Sequence, residues 1–167
     1  MQTSLSDASQ VDAEAASELI HASFTAVAAV DWEVSARTKF LQESAPQAIA
    51  AAIASAAVAL VASTAGRTVG FLLMPSPRLL ALLFVHPEAL RTGIGSCLWE
   101  RARSAIEVAH PEVQTVELNA TPNSVPFYCT LGFVPISKEF AHHGCRATRM
   151  ACWLPGRSRN CSVGNAP

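Results

Sequence analysis

The sequence is poor in the features that announce most macromolecular partners. Lys and Arg number 12 against 13 acids and never form a run, which argues against a nucleic-acid or anionic-membrane surface, since those partners need clustered positive charge. The five cysteines, Cys97, Cys129, Cys145, Cys152 and Cys161, are odd in number and nowhere spaced C-x-x-C. Neither a disulfide framework nor a zinc site is suggested, and reduced cysteines in a cytoplasmic protein are expected. The first twenty residues lack a basic segment leading into an apolar core, so no secretory signal is read there. The one membrane candidate, Ala48 to Ala62, is alanine-rich, carries Ser55 and falls short of the about 18 apolar residues a span needs. Tyrosine occurs once, at Tyr128.

What remains is a chain of 167 residues, half of them apolar, with a formal net charge of -1. That is long enough for one well-buried domain and short for two, with small molecules or proteins as the expected partners. Residues 1–155 are expected to form that domain, and the polar, glycine-containing stretch 156–167 a disordered tail.

A short strand is expected near Thr3 to Ser6. From there Ala16, Leu19, Ile20, Phe24 and Val27 recur at helical spacing, with Asp12 placed to cap. Residues 30–47 are polar and mixed, readable as a second short helix or as a loop. Ser44 or Pro46 opens a further helix through "QAIAAAIASAA", helped by alanine's helix preference. "VALVAST" and "RTVGFLLM", separated by Gly66, read as two antiparallel strands. The run "LLALLFV", residues 79–85, is apolar at every position, as a central strand covered on both faces would be. Beyond it Ile94, Leu98, Ala102, Ala105, Ile106 and Ala109 mark one helix face. "EVQTVELNA" reads as a strand, and "PNSVPFYCTLGF" as a short helix capped by Asn123, with Pro126 in its first turn and Gly132 ending it. "FVPISKEF" and "ATRMACWL" close the chain as a hairpin around "AHHG". The order predicts an α+β fold with a mixed, mostly antiparallel sheet and one parallel crossover.

The junction "HPEALRTGIGSCLW", residues 86–99, carries the chemistry. A strand ending at Val85 and a helix starting near Ile94 bring free helix-start N–H groups to one point, where the dipole favours anions. Glycines at 93 and 95 let a phosphate approach the backbone, or else merely permit a tight turn and close packing. The segment is neither G-x-x-x-x-G-K-S/T nor G-x-G-x-x-G, and the preceding strands are antiparallel. A diphosphate held by backbone amides is the ligand that remains.

"LFVHPEALRTGIGSCLWERARSA" resembles the acetyl-CoA-binding motif of the GNAT N-acetyltransferase superfamily, and "NSVPFYCTLGF" resembles its downstream motif at the expected separation. The resemblance covers residues 79–135 well and the rest, to about 154, in order and type. It implies a central β-α-β acyl-CoA-binding unit flanked by helices, with acetyl-CoA as cosubstrate, an amine as acceptor, and no metal. The family pattern has Gln or Arg three residues before the first glycine, where this chain has Leu90. The diphosphate would therefore rest on main-chain amides of Leu90, Arg91, Thr92, Gly93, Ile94, Gly95 and Ser96, with Arg91 or Thr92 adding a side chain.

Direct attack of the amine on the thioester makes three demands. A Lys-like amine is protonated at neutral pH, and deprotonation costs roughly 4 to 5 kcal/mol without help. The developing oxyanion needs a donor, which in this family is usually a central-strand amide, here that of Phe84 or Val85. The departing thiolate needs a proton, and Tyr128 matches the tyrosine of the family's F-Y-x-x-L-G-F segment that often supplies it. Thr121 stands where the family often has an Asn for the pantetheine arm, and Asn123 is either a second contact to it or a helix cap. The strand "LLALLFV" contains no acid, so the base falls to Glu117 acting through water, with Glu33 on the substrate side as an alternative. His86 before Pro87 reads as structural, and adjacent His142 and His143 with Cys145 make poor ligand geometry for a metal. Trp153 on the last strand serves either a homodimer through the C-terminal strands or the core. Two other readings stay open: a non-catalytic acyl-CoA-binding sensor, and an interaction module in which the glycine loop only packs. On the transferase reading, calorimetry should find acetyl-CoA binding abolished in Gly93→Val and little changed in Leu90→Ala.

Overall fold

The computed structural model describes residues 2–29 and 32–154; the expected tail, 156–167, lies outside them. In chain order the elements are β1 (Thr3–Asp7), α1 (Ala13–Ser23), α2 (Val34–Glu43), α3 (Pro46–Ser55), β2 (Val58–Thr64), β3 (Arg67–Met74), β4 (Leu82–Val85), α4 (Ile94–Ala109), β5 (Thr115–Ala120), α5 (Val125–Thr130), β6 (Val134–Pro135), β7 (Phe140–His142) and β8 (Cys145–Trp153). Strands β1-β2-β3-β4 form one antiparallel sheet. A second antiparallel group has the order β5-β8-β6, with β7 also on β8.

The local signals explain most of these elements. Pro46 sits in the first turn of α3, where its missing N–H costs nothing. Ala65 and Gly66, both with positive φ, make the two-residue turn between β2 and β3. The ambiguous segment forms α2 over Val34–Glu43. Asp12 does not cap α1 with its side chain. Its carboxylate instead accepts from the Ser9 amide at 2.7 Å and the Ser9 hydroxyl at 2.9 Å, closing a capping box around the single turn Gln10–Asp12.

The N-terminal sheet is covered on both faces. Val61, Phe71 and Leu73 point to α1 and α3, packing with Ala16, Leu19, Ile20, Ile49 and Ile53. Leu60, Ala62, Leu72 and Met74 point to α4, packing with Ile94, Leu98, Trp99, Ala102 and Ile106. The helix α4 thus buries Trp99, which its spacing did not single out, rather than Ala105 and Ala109. Among the described residues no helix is long and apolar enough to cross a membrane.

Two departures shape the molecule. The expected central strand 79–85 is regular only over Leu82–Val85, and all four of its residues are half-buried instead of covered on both faces. Among the described residues the backbones of the two sheets meet at one place: Glu117 N–H donates to Arg78 O at 2.8 Å and Leu80 N–H to Glu117 O at 3.0 Å, a parallel bridge between Leu79 and Glu117. Beyond it β4 and β5 share no pair, so the seven-residue apolar run spans a junction and one side of an opening.

The crossing of α4 over the sheet is set by Gly70. A Cβ there would lie 2.8 Å from Ile94 Cγ2, 2.9 Å from Leu98 Cδ1 and 3.1 Å from Ala62 Cβ. Gly70→Ala should therefore overpack the interface and cost about 1 to 3 kcal/mol. The check is a urea midpoint that falls with an unchanged m-value.

Candidate active site

The site is built at the end of β4. His86 N–H donates to Val69 O at 2.9 Å, while Val85 stands opposite Gly70 and Phe84 opposite Phe71. Backbone donors alternate edges along an antiparallel strand, so the Phe84 amide is turned to β3 and the Val85 amide to the other edge, where β5 has diverged. The side chains alternate as well: Leu82 and Phe84 join the α1/α3 cluster, Leu83 and Val85 the α4 cluster. Of the two amides singled out as oxyanion donors, Val85 has the open direction.

The loop that follows is tightly braced. His86 Nε2 accepts from Arg67 Nη2 at 2.9 Å, and Arg67 pairs with Glu88 at 3.2 Å. The Glu88 amide approaches His86 Nδ1 at 3.3 Å, and the turn Pro87–Ala89 begins there. Thr92 donates its hydroxyl proton to Ala89 O at 2.6 Å. Arg91 and Gly93 have φ of 63° and 85°, left-handed conformations of the kind from which anion-binding concavities of successive amides are built. Helix α4 then starts with Gly93 as N-cap and no side-chain cap. Its first internal bond is Cys97 N–H to Gly93 O at 3.0 Å, which leaves the amides of Ile94, Gly95 and Ser96 without a helical partner.

The two glycines do different work. A Cβ at Gly93 would meet nothing within 4 Å, so that position is glycine for its φ alone. A Cβ at Gly95 would lie 2.9 Å from Phe127 Cζ and 3.6 Å from Val85 Cγ2, so that position is glycine for close packing of α5 on the first turn of α4. Phe127, which the spacing had not marked, is the residue that brings α5 there.

Tyr128 follows in α5, its ring 5.3 Å from Phe127 and 5.7 Å from Phe133 and packed against the α4 core. Burial pushes its phenol well above the usual 10. Asn123 is not the cap of α5. Ser124 occupies that position, its hydroxyl bonded to Thr121 O at 2.9 Å. Asn123 instead accepts from the Thr121 hydroxyl at 2.6 Å and donates to Val27 O at 2.9 Å, across 96 residues of sequence. Gly132, with φ of 89°, ends the helix.

Along β5, Val116, Leu118 and Ala120 are buried on the α4 side, which puts Thr115, Glu117 and Asn119 on the opposite face. Glu117 is half-buried beside the sheet junction. Asn119 Nδ2 lies 3.4 Å from His142 Nε2. The turn after β7 uses His143 and Gly144, both with positive φ, and docks on the start of α2, where Glu33 N–H donates to Gly144 O at 3.0 Å. A hollow of about 230 Å³ between them is lined by Glu33, Ser35, Ala36, Lys39, His143 and Gly144. Glu33 therefore belongs to this rim and Glu117 to the sheet face. Among the described residues no three His, Cys, Asp or Glu groups are placed to hold a metal ion. Trp153 is 58% exposed and so is not a core residue.

A family model described as an acetyltransferase (GNAT) domain matches residues 7–154. Solved structures agree in fold. A GCN5-related N-acetyltransferase from Rhodopseudomonas palustris superposes with a TM-score of 0.80 at 20% identity, covering 92% of this chain and 97% of that one. The PaiA N-acetyltransferase of Thermoplasma acidophilum, solved with coenzyme A, gives 0.77 at 18% over 92% and 99%. A ribosomal-protein alanine N-acetyltransferase of Escherichia coli gives 0.66 at 18% over 95% and 98%. No curated protein matches the sequence.

The raised phenol carries a sign that can be checked. The unfolded chain releases the Tyr128 proton near pH 10 and the folded chain holds it to higher pH, so stability unaffected by this group below pH 10 should fall as pH rises past it. With a single tyrosine, absorbance at 295 nm should show ionisation near pH 10 in urea and a displaced, higher midpoint in the folded protein.

Proposed function

The chain belongs to the GNAT acetyltransferase family, and on that premise we propose that it moves the acetyl group of acetyl-CoA to a primary amine of a small molecule or peptide, by direct attack in a ternary complex. The observation that carries the reading is the convergence of the open Val85 amide with the unpartnered amides at the start of α4. Together they offer donors for a carbonyl oxygen and for a diphosphate a few residues apart.

The residues present fit acetyl-CoA. The left-handed Arg91 and Gly93 and the uncapped amides of Ile94, Gly95 and Ser96 form a concave donor set suited to the diphosphate. Leu90 is exposed and apolar, so it adds van der Waals contact, while Arg91 adds charge. The Thr92 hydroxyl, already donating to Ala89, keeps the loop in shape and can still accept. Thr121 and Asn123 lie on the β5–α5 loop, where the pantetheine arm would run between the diverging strands. When bound, the thioester supplies the activated acyl carbon.

The chain's own groups supply the rest. The Val85 amide donates to the carbonyl oxygen as negative charge grows on it, with Phe84 holding the strand to the α1/α3 side. Tyr128 presents its hydroxyl to the sulfur. Because burial keeps it protonated, it is a donor throughout the neutral range, and the same low-polarity surroundings raise the proton affinity of a thiolate placed beside it. Glu117, on the face turned from α4, draws an acceptor ammonium to the junction. No helical span, basic patch or metal cluster is required by this chemistry. A cytoplasmic location and reduced thiols accord with it.

Calorimetry with acetyl-CoA followed by thiol release over a panel of primary amines tests the proposal. Binding and turnover are expected. Binding without turnover would indicate an acyl-CoA sensor, and neither would indicate a packing module. Tyr128→Phe should lower turnover by about 100-fold while leaving acetyl-CoA affinity within a few-fold.

A further inference from the structure

Resting on that reading, we infer that His142 is the group that takes the proton from the acceptor ammonium, with Asn119 as its positioning partner. The acceptor face of β5 carries Glu117 and, one repeat further from the sheet junction, Asn119. His142, from β7, comes to the Asn119 end of that face: its Nε2 is 3.4 Å from Asn119 Nδ2. With the amide nitrogen as donor, Nε2 is the accepting nitrogen, which corresponds to the tautomer protonated on Nδ1. The contact is long, and a stronger donor can displace it. Packing fixes the ring further, with Phe140 at 5.7 Å and His143 at 4.3 Å, both edge-on.

The surroundings keep the lone pair available. Burial lowers the His142 pKa below its usual 6.5, and the neighbouring His143 in the turn and Arg149 on β8 lower it further. Arg149 is the cross-strand partner of Asn119, so its charge comes from the same sheet face. Glu33, just before α2, and Lys39 on it edge the hollow that His143 lines. No carboxylate among the described residues forms an ion pair with His142 that would hold its cation instead.

The proton balance closes. The ammonium gives one N–H proton to Nε2 in place of the Asn119 contact. The freed lone pair forms the C–N bond, and the C–S bond breaks with its electrons leaving on sulfur. The second amine proton reaches that sulfur by way of the Tyr128 hydroxyl, and His142 returns its proton to water.

Two measurements decide the matter. In the free wild-type protein, imidazole 15N NMR should show His142 titrating below pH 6.5 and its Nε2 resonance shifting when a primary amine that is a substrate is added. In steady-state assays, His142→Gln should lose about 100-fold in kcat and the acidic limb of the pH profile, with acetyl-CoA affinity unchanged, while His110→Gln, at the C-terminal end of α4, stays near wild type. Undiminished turnover in a folded His142→Gln protein, or an Nε2 resonance indifferent to the amine, overturns the assignment of His142 alone. Should His142→Gln not fold, the wild-type resonance decides. Absence of thiol release by wild type with every amine overturns the transferase reading beneath it.

Discussion

The close approach of α4 to the sheet at Gly70 is the constraint on which the site depends. Ile94 and Leu98 occupy the space a side chain at position 70 would fill, and they are in the first and second turns of α4. The contact therefore fixes the helix where its free amides emerge, not at its middle. Because Gly70 is also the cross-strand partner of Val85, one contact sets the helix start against the end of β4. A helix dipole aimed a few ångströms aside would still bind anions, but it would no longer do so in line with the open strand amide.

The alternation of β4 turns that placement into a division of labour. Phe84 and Leu82 anchor one face to α1 and α3, while Val85 and Leu83 face α4. The backbone alternates at right angles to this, sending successive amides to β3 and to the opening. A strand with no polar side chain can thus contribute the polar group that matters. Composition alone conceals such a donor, because the backbone carries it.

How much was legible in the sequence follows from the range of the interactions involved. The hairpin turn at Gly66, the start of α3, read at Ser44 or Pro46 and found at Pro46, and the amphipathic α4 are local features that nearby residues reveal. The run 79–85 misled because seven apolar residues look alike whether they are covered on both faces or divided between a junction and an opening. Asn123 has the composition of a cap, yet its partner is a carbonyl 96 residues away that no local pattern reveals. The two glycines of "RTGIG" could be recognised as a site but not told apart, since one answers to its own φ and the other to Phe127. The pairing of Asn119 with His142 was hidden for the same reason: it joins two strands that are not sequence neighbours.

That distant bond of Asn123 has a mechanical meaning. Among the described residues the two sheets share backbone hydrogen bonds only at Arg78, Leu80 and Glu117, while their side chains meet in one core under α4. The stretch after α1, Phe24–Ala28, is wound more loosely than an α-helix, and its Val27 carbonyl accepts from Asn123. Seam and bond together form two sides of a rigid frame. The opening between β4 and β5 is thus braced by the fold's own contacts, at the seam on one side and at Asn123 on the other.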